Sequence, residues 1–186
     1  MERLSGGPPT EADLRAVREQ LGREPRGVRR VAHRCPCGAP DVIETAPLLP
    51  DGTPFPTVYY LTCPRAAGAI GTLEAGGLMA AMTDRLREDE ALRTAYEAAH
   101  HRYLAAREAI AHVPQIDGVS AGGMPDRVKC LHVLVAQSLA EGPGGNPLGD
   151  EALAALPEWW SGGSCVERLE EGTRCTAGTA GMEELR

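Results

Sequence analysis

With 186 residues, 42% of them hydrophobic and 4% aromatic, the chain suits a single domain whose core is built from Ala, Leu, Val and Ile. Its net charge of −7 argues against a protein held on nucleic acid mainly by phosphate contacts. No apolar run approaches the roughly 18–20 residues of a membrane span, so a membrane partner is not expected.

Residues 1–9 read as a flexible lead without the apolar stretch of a secretory signal. The expected location is therefore cytoplasmic, where six cysteines serve as thiols or metal ligands rather than disulfides. Charge is uneven along the chain. Residues 1–40 carry eight arginines against five acids, a net of +3, while the remainder has eleven basic and twenty-one acidic residues, a net of −10. The basic start reads as a solvated helix face followed by a loop.

Thr10 offers an N-cap, and Glu11 and Asp13 favour the first turn of a helix carrying Leu14, Val17 and Leu21 at helical spacing. Gly22 ends it. Strand patterns follow at 28–32, at the β-branched 42–45, and at 57–62. Between the last two, Pro47, Pro50, Asp51-Gly52 and Pro54 punctuate a long turn. After Pro64 the pattern is helical over 66–74, 78–87 and 89–112, with Gly76-Gly77 breaking the first pair and Pro114 ending the third. His100 and His101 read as solvated on an exposed edge of that third helix. Pro125 suits the first turn of a strongly apolar helix reaching to about residue 140. Asp150 caps a short helix to Leu156, and Trp159-Trp160 close over the core. From Gly162 the composition predicts a frayed tail, leaving 10–160 as the globular domain and 161–186 outside it.

The cysteines carry the chemical signal. Cys35-Pro36-Cys37-Gly38 is one residue shorter than the usual CxxC knuckle, but its proline presets a bend and its glycine lets the chain turn back. Cys63 at the end of the best strand can supply a third ligand. Cys130 or His132 can complete a tetrahedral Zn²⁺ site from the core helix. On an ideal helix residues two apart lie about 200° around the axis, so both cannot serve one ion, and Cys130 is preferred. Cys165 is the reserve ligand, and Cys175 lies in the expected tail. A set of buried free thiols or an Fe–S centre is the alternative. So is a cysteine nucleophile, Cys130 or Cys63: Cys130 lies near a helix N-terminus, with His132 or His33 as base. Gly122, Gly123, Arg127 and Lys129 outline a weaker candidate for anion binding on free amides. No Walker A loop, GxGxxG, GxSxG or HExxH is present.

Several segments together, Asp51-Gly52-Thr53-Pro54-Phe55-Pro56-Thr57, Leu61-Thr62-Cys63-Pro64, Lys129-Cys130-Leu131-His132 and Asn146-Pro147-Leu148-Gly149, make the chain resemble a bacterial family known as domain of unknown function 501. The resemblance covers roughly residues 10–165. It implies a mainly actinobacterial distribution and lends no activity. In the family pattern the position of Cys37 is not always cysteine, which raises Cys165 as a ligand.

The expected architecture is α+β: a small three-stranded antiparallel sheet, cysteine end docked on a bundle of about five helices. The expected function is a soluble zinc-binding protein. Alternatives are a thiol-dependent enzyme and an interaction module presenting the basic first helix or the tryptophan pair.

Overall fold

A computed structural model describes residues 8–166. Within them the chain is α+β, with a three-stranded antiparallel sheet and six α-helices. Helix α1 (Glu11–Leu21) opens on a reciprocal capping box. The Asp13 amide donates to Thr10 Oγ1 at 3.1 Å, and the Thr10 amide donates to Asp13 Oδ2 at 3.0 Å. Gly22 ends the helix in the left-handed conformation at φ 64°.

Strands β1 (Val28–Arg34), β2 (Pro40–Thr45) and β3 (Tyr59–Leu61) follow in spatial order β1-β2-β3. Val31 stands opposite Ile43, and Ile43 opposite Tyr60. Every residue of β2 is buried, because the strand is central and covered on both faces. Val42 enters the main core, while Ile43 faces the other way into a cleft shared with Leu21, Leu49 and Phe55. Arg34 ties the sheet to α1 by donating to both Asp13 oxygens, at 2.7 and 2.9 Å.

The remaining helices are α2 (Pro64–Ala75), α3 (Leu78–Glu88), α4 (Glu90–Glu108), α5 (Leu131–Glu141) and α6 (Pro147–Ala154). A 3-10 turn, Pro114–Ile116, lies between α4 and α5. Helix α5 packs on all three strands and on α2 and α6. Its Leu131, Leu134, Val135 and Ala136 are inaccessible to solvent, so it is the central helix that its apolar composition predicts.

Three expectations need correction. The central helix begins at Leu131, because residues before it fold back on themselves: the Lys129 amide donates to Gly122 O at 2.7 Å. The cap of α6 is Asn146, not Asp150; Asn146 Oδ1 accepts from the amides of Leu148 and Gly149 at 3.1 and 3.0 Å. His100 is buried, because Tyr96, Ala99, His100, Tyr103 and Arg107 together form the inner stripe of α4. His101 is the exposed one.

Candidate metal centres

The four thiols at the edge of the fold arrive from three directions. Cys35 and Cys37 sit in the turn after β1, where the Gly38 amide donates to Cys35 O at 2.7 Å and Gly38 adopts φ 89°. The glycine reverses the chain there, and the Cys35 amide closes the turn on Ala39 O at 2.9 Å. Cys63 is the N-cap of α2, immediately before a proline in the first turn. Cys165 comes from the segment beyond α6. Arg65 holds that segment by donating to Gly163 O at 3.0 Å.

Cys165 Sγ lies 3.6 Å from Cys35 Sγ and 3.3 Å from Cys63 Sγ. The sulfurs of Cys35, Cys37 and Cys165 all fall within 4.8 Å of one another. Cys35, Cys63 and Cys165 are 2%, 0% and 1% exposed, and Cys37 is half-buried. Ala66 completes this small core, and Trp159 and Trp160 pack against it edge to face with ring centroids 4.6 Å apart. The tryptophans are half-buried and cover the thiols rather than the main core.

The hydrogen bonds divide the thiols unequally. The Cys35 thiol is lowered to about 6, first by its hydrogen bond with Cys165 and then, against the cost of burial, by the Cys37 amide. Cys63 is lowered for the same first reason, with the amides of Ala66 and Arg65 at the start of α2 adding to it. Cys165 is raised, because it keeps the proton that the other two share.

Cys130 and His132 stand apart from these thiols. They group with Glu74, their ligand atoms all within 4.8 Å of one another. The 200° objection to their serving one ion does not hold, because Cys130 is the N-cap of α5 with extended backbone (φ −157°, ψ 111°) and only His132 is helical. His132 Nδ1 lies 3.8 Å from Cys130 Sγ and 3.2 Å from Glu74 Oε1, while its Nε2 lies 3.2 Å from Ala67 O. His132 is raised to about 9, first by its hydrogen bond with Cys130. Burial opposes ionisation of Cys130, but its hydrogen bond with His132 and the Val133 amide bring the thiol below its ordinary value.

Glu74 is the residue that sequence reasoning missed. It is 56 residues from Cys130, in a helix with no other acid, and only the packing of α2 on α5 joins them. At the glycine loop, the amides of Lys129 and Arg127 donate to the carbonyls of Gly122 and Gly123, and that of Val128 to Thr83 Oγ1. His33 is engaged by buried Asp41 at 2.7 Å. Cys175 lies outside the described residues.

The model of the family described as a protein of unknown function (DUF501) matches residues 31–154. The chain belongs to the DUF501 family. No curated protein and no solved structure matches it. The DUF501 match contains Cys35, Cys37, Cys63 and the whole Glu74–Cys130–His132 group, while Cys165 lies beyond its end. None of the described helices is long and apolar enough to cross a membrane.

Proposed function

We propose that this DUF501 protein binds one structural Zn²⁺ through Cys35, Cys37, Cys63 and Cys165. The supporting observation is the spacing of sulfurs around Cys165. Zn–S bonds of about 2.3 Å arranged tetrahedrally place neighbouring sulfurs about 3.8 Å apart, and the two separations from Cys165 are 3.6 and 3.3 Å. A disulfide would use two of the four sulfurs and strand the others, and Cys165 stands in contact with two partners at once. An Fe–S cluster spreads its cysteine sulfurs further, because bridging sulfides and several irons lie between them.

Ion binding draws Cys37 inward and brings in the Cys63 sulfur, which contacts Cys165 but falls outside the 4.8 Å group of Cys35, Cys37 and Cys165. The amides of Cys37, Arg65 and Ala66 then offset the net negative charge of four thiolates on one dication. All four positions are protein sulfur, so the site is closed and its role is to join elements. It would tie the β1–β2 turn, the start of α2 and the segment carrying Trp159 and Trp160.

Elemental analysis of protein purified without a histidine tag tests this. The wild type should carry Zn²⁺ bound at this site, and Cys63→Ser should lose it. Less than a tenth of an equivalent of metal in the wild type would reject the reading.

A further inference from the structure

We propose that Glu74, Cys130 and His132 form a second metal site, separate from the four-thiol site, with three protein ligands and one open coordination position. The class of metal is a borderline divalent ion such as Zn²⁺ or Co²⁺, which accepts a mixed oxygen, sulfur and nitrogen set.

Three features of the geometry lead there. The first is spacing. Tetrahedral bonds of about 2.0 Å to nitrogen and oxygen and about 2.3 Å to sulfur give an N···O edge of about 3.3 Å and an N···S edge of about 3.5 Å. The corresponding separations are 3.2 Å for His132 Nδ1 to Glu74 Oε1 and 3.8 Å for His132 Nδ1 to Cys130 Sγ.

The second is the far side of the ring. His132 Nε2 lies 3.2 Å from Ala67 O, where only an N–H can donate. That bond leaves Nδ1 as the lone-pair nitrogen in the neutral ring, the arrangement a metal-bound histidine takes when a backbone carbonyl orients it. Glu74 is oriented in turn, since the Leu131 amide donates to its Oε1 at 2.7 Å.

The third is convergence. The Nδ1 atom faces a carboxylate and a sulfur at once, and all three ligand atoms fall within 4.8 Å of one another, close enough for one cation to lie between them.

All three side chains are half-buried, so the fourth position opens toward solvent and can take a water or a small ligand. In this it differs from the closed four-thiol site. The two sites share α2. Cys63 caps its start and Glu74 precedes its last residue, about 16 Å further along at 1.5 Å per residue.

The test is elemental analysis and Co²⁺ titration of the full chain, with Co²⁺ alone as the probe. The wild type is expected to bind two equivalents, the second with the absorption of a single thiolate–Co²⁺ bond. Cys130→Ser should abolish that band, and His132→Ala should reduce binding to one equivalent. Glu74→Gln, which keeps an oxygen to receive the Leu131 amide, should weaken the second equivalent by at least about tenfold. Cys165→Ser should leave the second site intact while emptying the first, so failure of the four-thiol reading is separable from failure of this one. A wild type that stops at one equivalent, lost in Cys165→Ser and kept in Cys130→Ser, would overturn the proposal. So would Cys130 that iodoacetamide alkylates equally fast with and without Zn²⁺, which would mark a bare thiol–imidazole pair.

Discussion

Removing metal from the four-thiol site should release the segment after α6 while leaving the main core folded. Three of the four ligands stand on elements the core already holds. Cys35 and Cys37 follow β1, which is paired along its length with β2. Cys63 begins α2, which buries Ala66 and Ile70. The segment carrying Cys165 has the thiol contacts, the tryptophan packing and the Arg65–Gly163 bond. At free metal a thousandfold above Kd, linkage gives about 4 kcal/mol of stabilisation. For a chain of this length that corresponds to a fall of about 8–16 °C in Tm on chelation. Far-ultraviolet circular dichroism at 25 °C should change little. Tryptophan emission should shift to the red as Trp159 and Trp160 lose their cover, and Cys35, Cys63 and Cys165 should become open to alkylation. Cys165→Ser should reproduce the fall in Tm, the red shift and the alkylation of Cys35 and Cys63 without chelator. Chelation that leaves Tm, emission and thiol reactivity unchanged would refute the reasoning, and so would complete loss of helix, which would place the core itself under metal control.

Acid should remove one specific ion pair. The Arg34 guanidinium holds Asp13 down at about 2 against an ordinary 3.8, a difference equivalent to about 2 kcal/mol for a side chain only 8% exposed. Because the folded value is depressed, the stabilisation is present above about pH 4 and disappears as pH falls toward 2. Asp13→Asn should therefore cost about 2 kcal/mol in urea unfolding at pH 7 and progressively less below pH 4. Two glycine replacements should act in opposite directions by thermal unfolding. A Cβ on Gly149 would stand 2.2 Å from Leu134 O, where α6 crosses α5, so Gly149→Ala should destabilise by at least about 1–3 kcal/mol. A Cβ on Gly71 meets nothing within 4 Å in the middle of α2, so Gly71→Ala should stabilise by about 0.5–1 kcal/mol. Arg107 is buried and donates to Ile116 O at 2.7 Å and also to Val119 O, holding the turn after α4. Arg107→Met should leave those carbonyls without their donor and cost about 3 kcal/mol or more in the same assay.

Local signals in the sequence placed the sheet and most helices. Thr10 with Asp13, the glycine at 22, the β-branched 42–45 and the proline after Cys63 act through neighbours a few residues away, so their effects are legible without the fold. The errors arose where distant packing overrides the local pattern. Val128 continues the apolar period of α5, yet Gly122 and Gly123 at φ 74° and 93° turn the chain back and delay the helix to Leu131. The thiol grouping was legible in part. The CPCG turn and Cys63 point to one end of the sheet, whereas the choice between Cys130 and Cys165 depends on where the chain goes after α6. The extended backbone at Cys130 also reversed an argument built on helical geometry. Glu74 left no sequence signal at all, since its partners come from an element more than fifty residues away.

Helix α2 explains why two such groups fall on one short element. It has glycines at 68 and 71, each costing about 1 kcal/mol against alanine, and it buries only Ala66 and Ile70. A helix with so little apolar grip needs its ends fixed by other means. Its start is fixed by Cys63 within the thiol cluster, and its end by Glu74 against the Leu131 amide and His132. The anchors also divide the work of the fold: the first holds α2 to the sheet turn, the second to the central helix. Loss of one should loosen one end of α2 and leave the other in place.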